Sequence, residues 1–299
     1  MKLSKEFILQ CSFLIGLVAL VTILISNLWV NLIRTGMGLS FNWLTQPSGF
    51  AIAEKSLSYT PSDNYLWALC IGWINSLKVI LVGLIISTII GLFTGFARIS
   101  QNMLLRNISS LYIALIRQIP LLLQLMFWYF VVFLNLSNTP IPILGSIVIF
   151  SNKAITLMGV KLSVEYASLL AGLCIFTGAS IAEVVRGGLN SVAKGQWEAF
   201  RSLGISERIG IVKIVLPQAL PAIIPGLTSQ YLNLAKNSTL AIAVGYADLY
   251  AISDTTITQT GRAIEGFIVL MISFLLLNMI ISGGMECLNR LTVKANYRH

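Results

Sequence analysis

Residues 194–221, KGQWEAFRSLGISERIGIVKIVLPQALP, gather charge, Gly and Pro in the middle of an otherwise oily chain. Hydrophobic residues make up 56% of the 299 positions and charged ones 10%, whereas soluble domains are about a quarter charged. The stretch reads as two short helices with a break. Gln196 to Leu203 are good helix formers, and Gly204 suits the position just past a helix end, where the left-handed conformation carries no Cβ penalty. Ser206 can cap a second helix, with Glu207 favourable in its first turn. Ile209, Val212 and Ile214 can then face the membrane or its helices. Pro217, Pro221 and Pro225 follow at intervals of four, each removing an amide donor, so the next apolar helix is expected to enter kinked on a hinge. The expected product is a rigid polar elbow wired to a bent membrane helix.

Around the elbow, six apolar stretches are each long enough to cross a hydrocarbon core of about 30 Å: about 7–33, 67–97, 108–136, 164–186, 218–249 and 264–285. The expected fold is therefore an all-α integral membrane protein of about six transmembrane helices. The first stretch is too long for a signal-peptide core and lacks a small-x-small cleavage site, so it is read as a retained span. With both termini inside, the inner side collects twelve Lys and Arg, from Lys2 and Lys5 through Arg98, Arg186, Lys194 and Arg201 to Arg290 and Arg298. The outer side collects five: Arg34, Lys55, Lys153, Lys161 and Arg262. That bias is the positive-inside pattern and places both termini in the cytoplasm. The formal net charge of +9 thus reads as topology, and no nucleic-acid partner is implied. Residues 1–66 divide off as one span with an outer loop, and 67–299 form the main domain, with the elbow at about 190–217.

Several chemistries are excluded cheaply. His299, the last residue, is the single histidine, so no HExxH metal site and no Ser-His or Cys-His pair within the bilayer can be built. Gly-Lys never occurs, so the P-loop phosphate cradle is missing as well. Cys11, Cys70, Cys174 and Cys287 are scattered without metal spacing and read as small packing residues. No catalytic residues and no metal ligands are expected. Gly83, Ser87, Gly91 and Gly95 form a small-residue stripe in the second span that lets another helix approach closely; packing within the chain is favoured over a subunit interface. Glu183 and Arg186, three apart, can pair along one face.

Charges inside a span cost about 2.5–3.5 kcal/mol on insertion scales and need a partner or a wet cavity. Lys78, Arg117 and Lys236 fall within spans, and Lys236 and Arg117 are read either as interhelical ties or as the lining of a solute pathway. Asn237, Ser238 and Gln124 supply nearby hydrogen-bonding groups and favour the pathway. The outer loops, 34–66 and 137–163, are too short to be solute-binding domains, so capture from outside requires another protein. A secondary transporter would show paired broken helices in two repeats, a channel would carry its unusual loop outside, and a membrane enzyme would need the missing nucleophile–base sets.

Glu198-Ala199-Phe200-x3-Gly204-x9-Ile214-x-Leu216-Pro217 resembles the EAA loop of permease subunits of bacterial type I ABC importers, with Phe200 standing where Ala is usual. Arg117-x-x-Pro120-Leu121-x-x-Gln124 is similar to the RGTPLLVQ stretch of polar amino-acid permeases. IAEVVRGGLNSV from Ile181, KNSTLAIAVGYADL from Lys236 and TGRAIE from Thr260 are similar to the branch handling general or acidic amino acids, while Ser180 replaces a common aromatic. The resemblance covers roughly residues 70–285. It implies a five-helix core, spans two to six here, with the N-terminal helix as an addition, in a bacterial inner membrane. Its implied partners are a second permease subunit, two cytoplasmic ABC ATPases and an extracytoplasmic amino-acid-binding protein. A different permease chain is favoured over a second copy, since no complete carboxylate-recognising cluster is visible. The chain would bind no cofactor; ATP and Mg would sit on the ATPase. Coupling to that ATPase falls to Gln196, Glu198, Ala199, Arg201, Ser202, Leu203 and Gly204, and the solute would be an acidic or neutral polar L-amino acid.

Overall fold

A computed structural model describes residues 5–34, 38–143 and 147–296; Lys2, Arg298 and His299 lie outside them. The chain divides into two compact units, residues 1–44 and 45–299. The first contains α1 (Lys5–Arg34), whose apolar side chains are exposed all round, as a helix that meets lipid on every face should be.

In the second unit, α2 (Tyr65–Arg98) and α5 (Val164–Asn190) run side by side in the same direction. The small-residue stripe is what lets them touch. A Cβ on Gly91 would lie 2.3 Å from Ile181 Cγ2, and one on Gly95 would lie 2.8 Å from Val185 Cβ. The stripe is thus consumed within the chain, and backbone-to-side-chain packing replaces the hydrophobic drive that lipid cannot supply. Cys174 donates from Sγ to the Gly83 carbonyl at this seam, and all four cysteines are unbridged. Antiparallel to this pair, α8 (Leu216–Asn237) packs on α5, with Gly188 against Ile223 and Gly226 against Val184. The long α10 (Ala263–Asn296) covers α8. Inside the bundle the Thr88 and Tyr231 hydroxyls pair at 2.7 Å, satisfying polar groups that lipid would leave bare.

Among the described residues, five helical runs are long and apolar enough to cross a membrane, and six spans result when one bent pair counts as one. That pair corrects the expected span 108–136. It consists of α3 (Met103–Gln118) and a segment that begins as α4 (Leu121–Met126) and widens into a π-helical turn at Phe127–Phe133; the two meet at 103°. Pro120 lacks an amide donor and disfavours helical backbone at Ile119, which is extended (φ −93°, ψ 127°).

The segment around the expected hinge is helical. Pro217 stands at the helix start and Pro221 and Pro225 lie inside α8, yet helical structure is continuous from Glu207 to Val244. A π-helical turn at Ile211–Val215 comes just before Pro217, and the helical run continues past all three prolines. A short 3-10 segment, Ser238–Val244, then leads to α9 (Leu249–Thr260).

The outer loops also differ from expectation. Residues 45–66, grouped with α1 on sequence, belong to the main unit. They are held by Asn75, which is fully buried, donates to the Glu54 and Ala247 carbonyls and accepts from Ser56. Residues 141–163 add an antiparallel four-stranded meander, β1 (Ile141–Ile143), β2 (Val148–Phe150), β3 (Ala154–Leu157) and β4 (Val160–Ser163), to the helical fold. Met158 and Gly159, both with positive φ, form the two-residue turn between β3 and β4, the geometry that matches strand twist. Pro142 sits on the edge strand, where its missing donor is tolerated.

Candidate functional site

The elbow is built as two helices and a reversal. α6 (Lys194–Ser202) ends in a Schellman motif: the Ile205 amide donates to the Phe200 carbonyl and the Gly204 amide to that of Arg201, both at 3.0 Å. Gly204 adopts φ +69° with open space around its Cα, so glycine is required by the turn itself. Ser206 holds the cap position of α7 (Glu207–Gly210), but its side chain makes no capping bond, contrary to expectation.

Three contacts weld α6 to the helical run behind it. Phe200 is 1% exposed and lies on the bare backbone of Gly210, where a Cβ would sit 2.3 Å from its ring. The bulky residue at the usual Ala position is thus matched by a missing side chain ten residues on. Arg201 bonds Glu207 through two nitrogens, at 2.7 and 3.2 Å, and stacks 5.6 Å from the Trp197 ring. These hydrogen bonds hold the guanidinium's pKa above its ordinary value. Gln218 on α8 bridges the Ile214 carbonyl and Gln196 Oε1.

The other expected coupling residues are exposed. Glu198, Ala199 and Ser202 are exposed, and Leu203 is 76% exposed on a polar segment. The Glu198 carboxylate has no ion-pair or hydrogen-bond partner among the described residues. Arg201 is spent internally on Glu207. The elbow therefore presents an acid, a flat small-residue patch and a naked Leu on a scaffold braced from behind.

The expected pathway residues are distributed differently from one another. Gln124 is buried, and its Nε2 donates to the carbonyls of Ile116 and Ile119 at 2.8 and 2.9 Å, bracing the bend at Pro120. Ser238 is also buried and bonds back to the Ala235 carbonyl. Lys236 and Arg117 are exposed and make no ion pair or side-chain hydrogen bond with the described residues, although Arg117 on α3 stands within electrostatic reach of Glu183 on α5; Asn237, next to Lys236, is partly exposed. The two stretches do meet: Leu121 and Leu125 of α4 share a core cluster with Ala241 and Val244, just beyond Ser238. Glu183 takes both Nε and one terminal nitrogen of Arg186, at 3.0 and 2.7 Å, as its spacing suggests.

One constellation was missed from sequence. Lys78 pairs with Glu54 at 3.2 Å and stands 4.7 Å over the Tyr166 ring, which packs on Tyr246. Nothing local links Glu54 to Lys78; the only signal was a polar pair, Asn75 and Lys78, three apart in an apolar run.

The profile of the family described as "binding-protein-dependent transport system inner membrane component" matches residues 87–294. AapQ, the general L-amino acid transport system permease protein of Rhizobium johnstonii, is 31% identical over 95% of this chain and 91% of its own length. GltJ, the glutamate/aspartate import permease protein of Escherichia coli K12, is 26% identical over 85% of this chain and 96% of its own. Among solved structures, an amino acid ABC transporter crystallised with histidines is 25% identical, with a TM-score of 0.60 over 76% of this chain and 94% of that one. The inward-facing MetNI methionine ABC transporter shares the fold at 20% identity, with a TM-score of 0.58 over 76% of this chain and 97% of that one.

Proposed function

Because the chain belongs to the binding-protein-dependent transport system inner membrane component family, we propose that it is a permease subunit of an ATP-driven amino-acid importer and that α6 is the point at which a cytoplasmic ATPase drives it. The observation that carries the coupling role is the outward face of α6, where Glu198 and Leu203 lack partners while Phe200, Arg201 and Gln196 fasten the helix to the helical run behind it. A groove on a partner would bury Leu203 and pair Glu198. The chain has no P-loop of its own, so ATP and Mg belong to two ATPase subunits. A second permease, a different chain in preference to a second copy, would complete the pathway, and an extracytoplasmic binding protein would deliver the solute. The protein would reside in a bacterial inner membrane with both termini and α6 in the cytoplasm, as its basic residues favour.

The mechanism follows from that helical run. Closure of the ATPases displaces α6; the Phe200–Gly210 contact and the Arg201–Glu207 bonds pass that displacement to the run from Glu207 to Val244. Lys236 and Asn237 ride near its far end, about 40 Å away at 1.5 Å per residue. A solute carboxylate needs a cationic partner when it leaves water, and Lys236 and Arg117 offer unpaired cations; Gln124 and Ser238 hold the surrounding backbone. Relatives that carry general L-amino acids or glutamate and aspartate favour an acidic or neutral polar L-amino acid as solute. The test is uptake of a labelled amino-acid panel by a deletion host complemented with wild type, Gly204→Asp or Lys236→Met at matched membrane levels. Uptake restored by wild type alone supports the coupling role of the elbow; equal rescue by Gly204→Asp refutes it, and an unchanged solute range in Lys236→Met removes that lysine from the pathway.

A further inference from the structure

Behind α6 an open cleft of about 590 Å³ lies between that helix and the ends of α2 and α5. Arg98, Arg186, Lys194 and Arg201 line it, with Trp197, against the single carboxylate of Glu198. Arg186 and Arg201 are partly engaged by Glu183 and Glu207. Lys194 has no ion-pair or hydrogen-bond partner among the described residues. Arg98 reaches Ser110, but its Nε stays without a hydrogen bond, 3.8 Å from Glu183. Three of the four cations thus already face a carboxylate, and Lys194 with the Arg98 Nε are the donors left open to an anion.

Depth identifies the kind of anion. Lys78 stands over Tyr166 at the other end of the same helix pair, and twenty residues separate Lys78 from Arg98 and Tyr166 from Arg186. That is about 30 Å of helix, the thickness of the hydrocarbon core. With Lys78 taken at the outer boundary, the cleft falls at headgroup level on the other side, where Arg, Lys and Trp favour the interface. Next to it, α3 displays Leu104, Ile108, Leu111 and Leu115 as one face, each 54–67% exposed, and Arg98 joins that helix to the cleft through Ser110.

We propose that this cleft binds the phosphate of an anionic phospholipid of the inner leaflet, with its acyl chains along the apolar face of α3. Guanidinium groups suit phosphate oxygens, and basic pockets between the cytoplasmic ends of membrane helices are established headgroup sites. The leaflet assignment rests on the orientation proposed above; the binding itself does not depend on transport.

The experiment is native mass spectrometry of the delipidated full-length protein titrated with phosphatidylglycerol, phosphatidylcholine or glycerol 3-phosphate. Phosphatidylglycerol is expected to bind preferentially, and Lys194→Gln to weaken it about fivefold, as removal of one charge near a surface predicts. Lys194→Glu should weaken it further, whereas Lys213→Gln, which removes a charge outside the cleft, should leave it unchanged. Equal binding of phosphatidylcholine, or wild-type affinity in both Lys194 variants, would overturn the proposal. So would full competition by glycerol 3-phosphate, which would indicate a free-anion site, or displacement of the lipid by an ATPase that crosslinks to Lys194. Gly204→Asp should retain the lipid, so failure of the coupling reading and failure of this one are distinguishable.

Discussion

The matched pair Phe200 and Gly210 gives a quantitative handle on whether α6 moves as one body with the helical run behind it. Phe200 is 1% exposed, and truncating such a side chain to Ala costs about 3–5 kcal/mol. Gly210→Ala alone would place a Cβ 2.3 Å from the Phe200 ring, an overpacking that costs about 1–3 kcal/mol. In the double variant the methyl introduced at position 210 enters the space that the ring has left, and the helix gains about 1 kcal/mol in propensity over Gly. The two costs should therefore fall short of additivity by at least about 2 kcal/mol, the relieved overpacking plus the gained propensity. The assay is amide hydrogen exchange of residues 194–215 in detergent, where each 1.4 kcal/mol of local stability is about tenfold in rate. Phe200→Ala should speed exchange by about 100-fold or more, and the double variant should recover at least about fivefold of that. Strict additivity would show that the ring does not rest on Gly210 and that α6 is held some other way.

Two further perturbations address the bundle. Gly91→Val pushes three carbons into a space where even a Cβ meets Ile181 at 2.3 Å; loss of folded protein on fluorescence-detected size exclusion is expected, and a wild-type profile would mean that α2 and α5 are not in direct contact. Gln124→Leu removes two donors from the Ile116 and Ile119 carbonyls, at a cost of about 1–3 kcal/mol. A lower Tm with an unchanged solute competition order is expected, and a changed order would return Gln124 to the solute pathway.

Much of the architecture was legible because lipid is a demanding solvent. Long apolar runs locate the spans, the distribution of Lys and Arg suggests their sense, and a four-residue spacing of small residues marks the α2–α5 seam. Gly204 was readable for a similar reason: a left-handed turn leaves few choices. What escaped depends on long-range geometry. That Pro120 breaks its helix by 103° while three prolines leave Glu207–Val244 continuous reflects what surrounds each. Gln124 braces the first break, and a π-helical turn comes just before the others. The meander at 141–163 was hidden by Pro142 and the preceding Pro140, although the alternating stretches flanking Met158-Gly159 carried a hairpin signal. At the elbow, the identity of Arg201's partner turned on the reversal at Gly204: Glu198 lies three residues away on the same helix, but the turn brings Glu207 within 2.7 Å.

The most direct test of the coupling element uses its barest residue. A photo-crosslinking amino acid is placed at Leu203, 76% exposed on the elbow, and at Met158, 80% exposed in the hairpin turn, as a control. Each variant is irradiated in membranes containing the assembled transporter. An ATPase subunit captured from position 203 and not from 158 is the predicted result. Capture from neither position, or from both equally, would contradict the assignment of α6 as the ATPase contact.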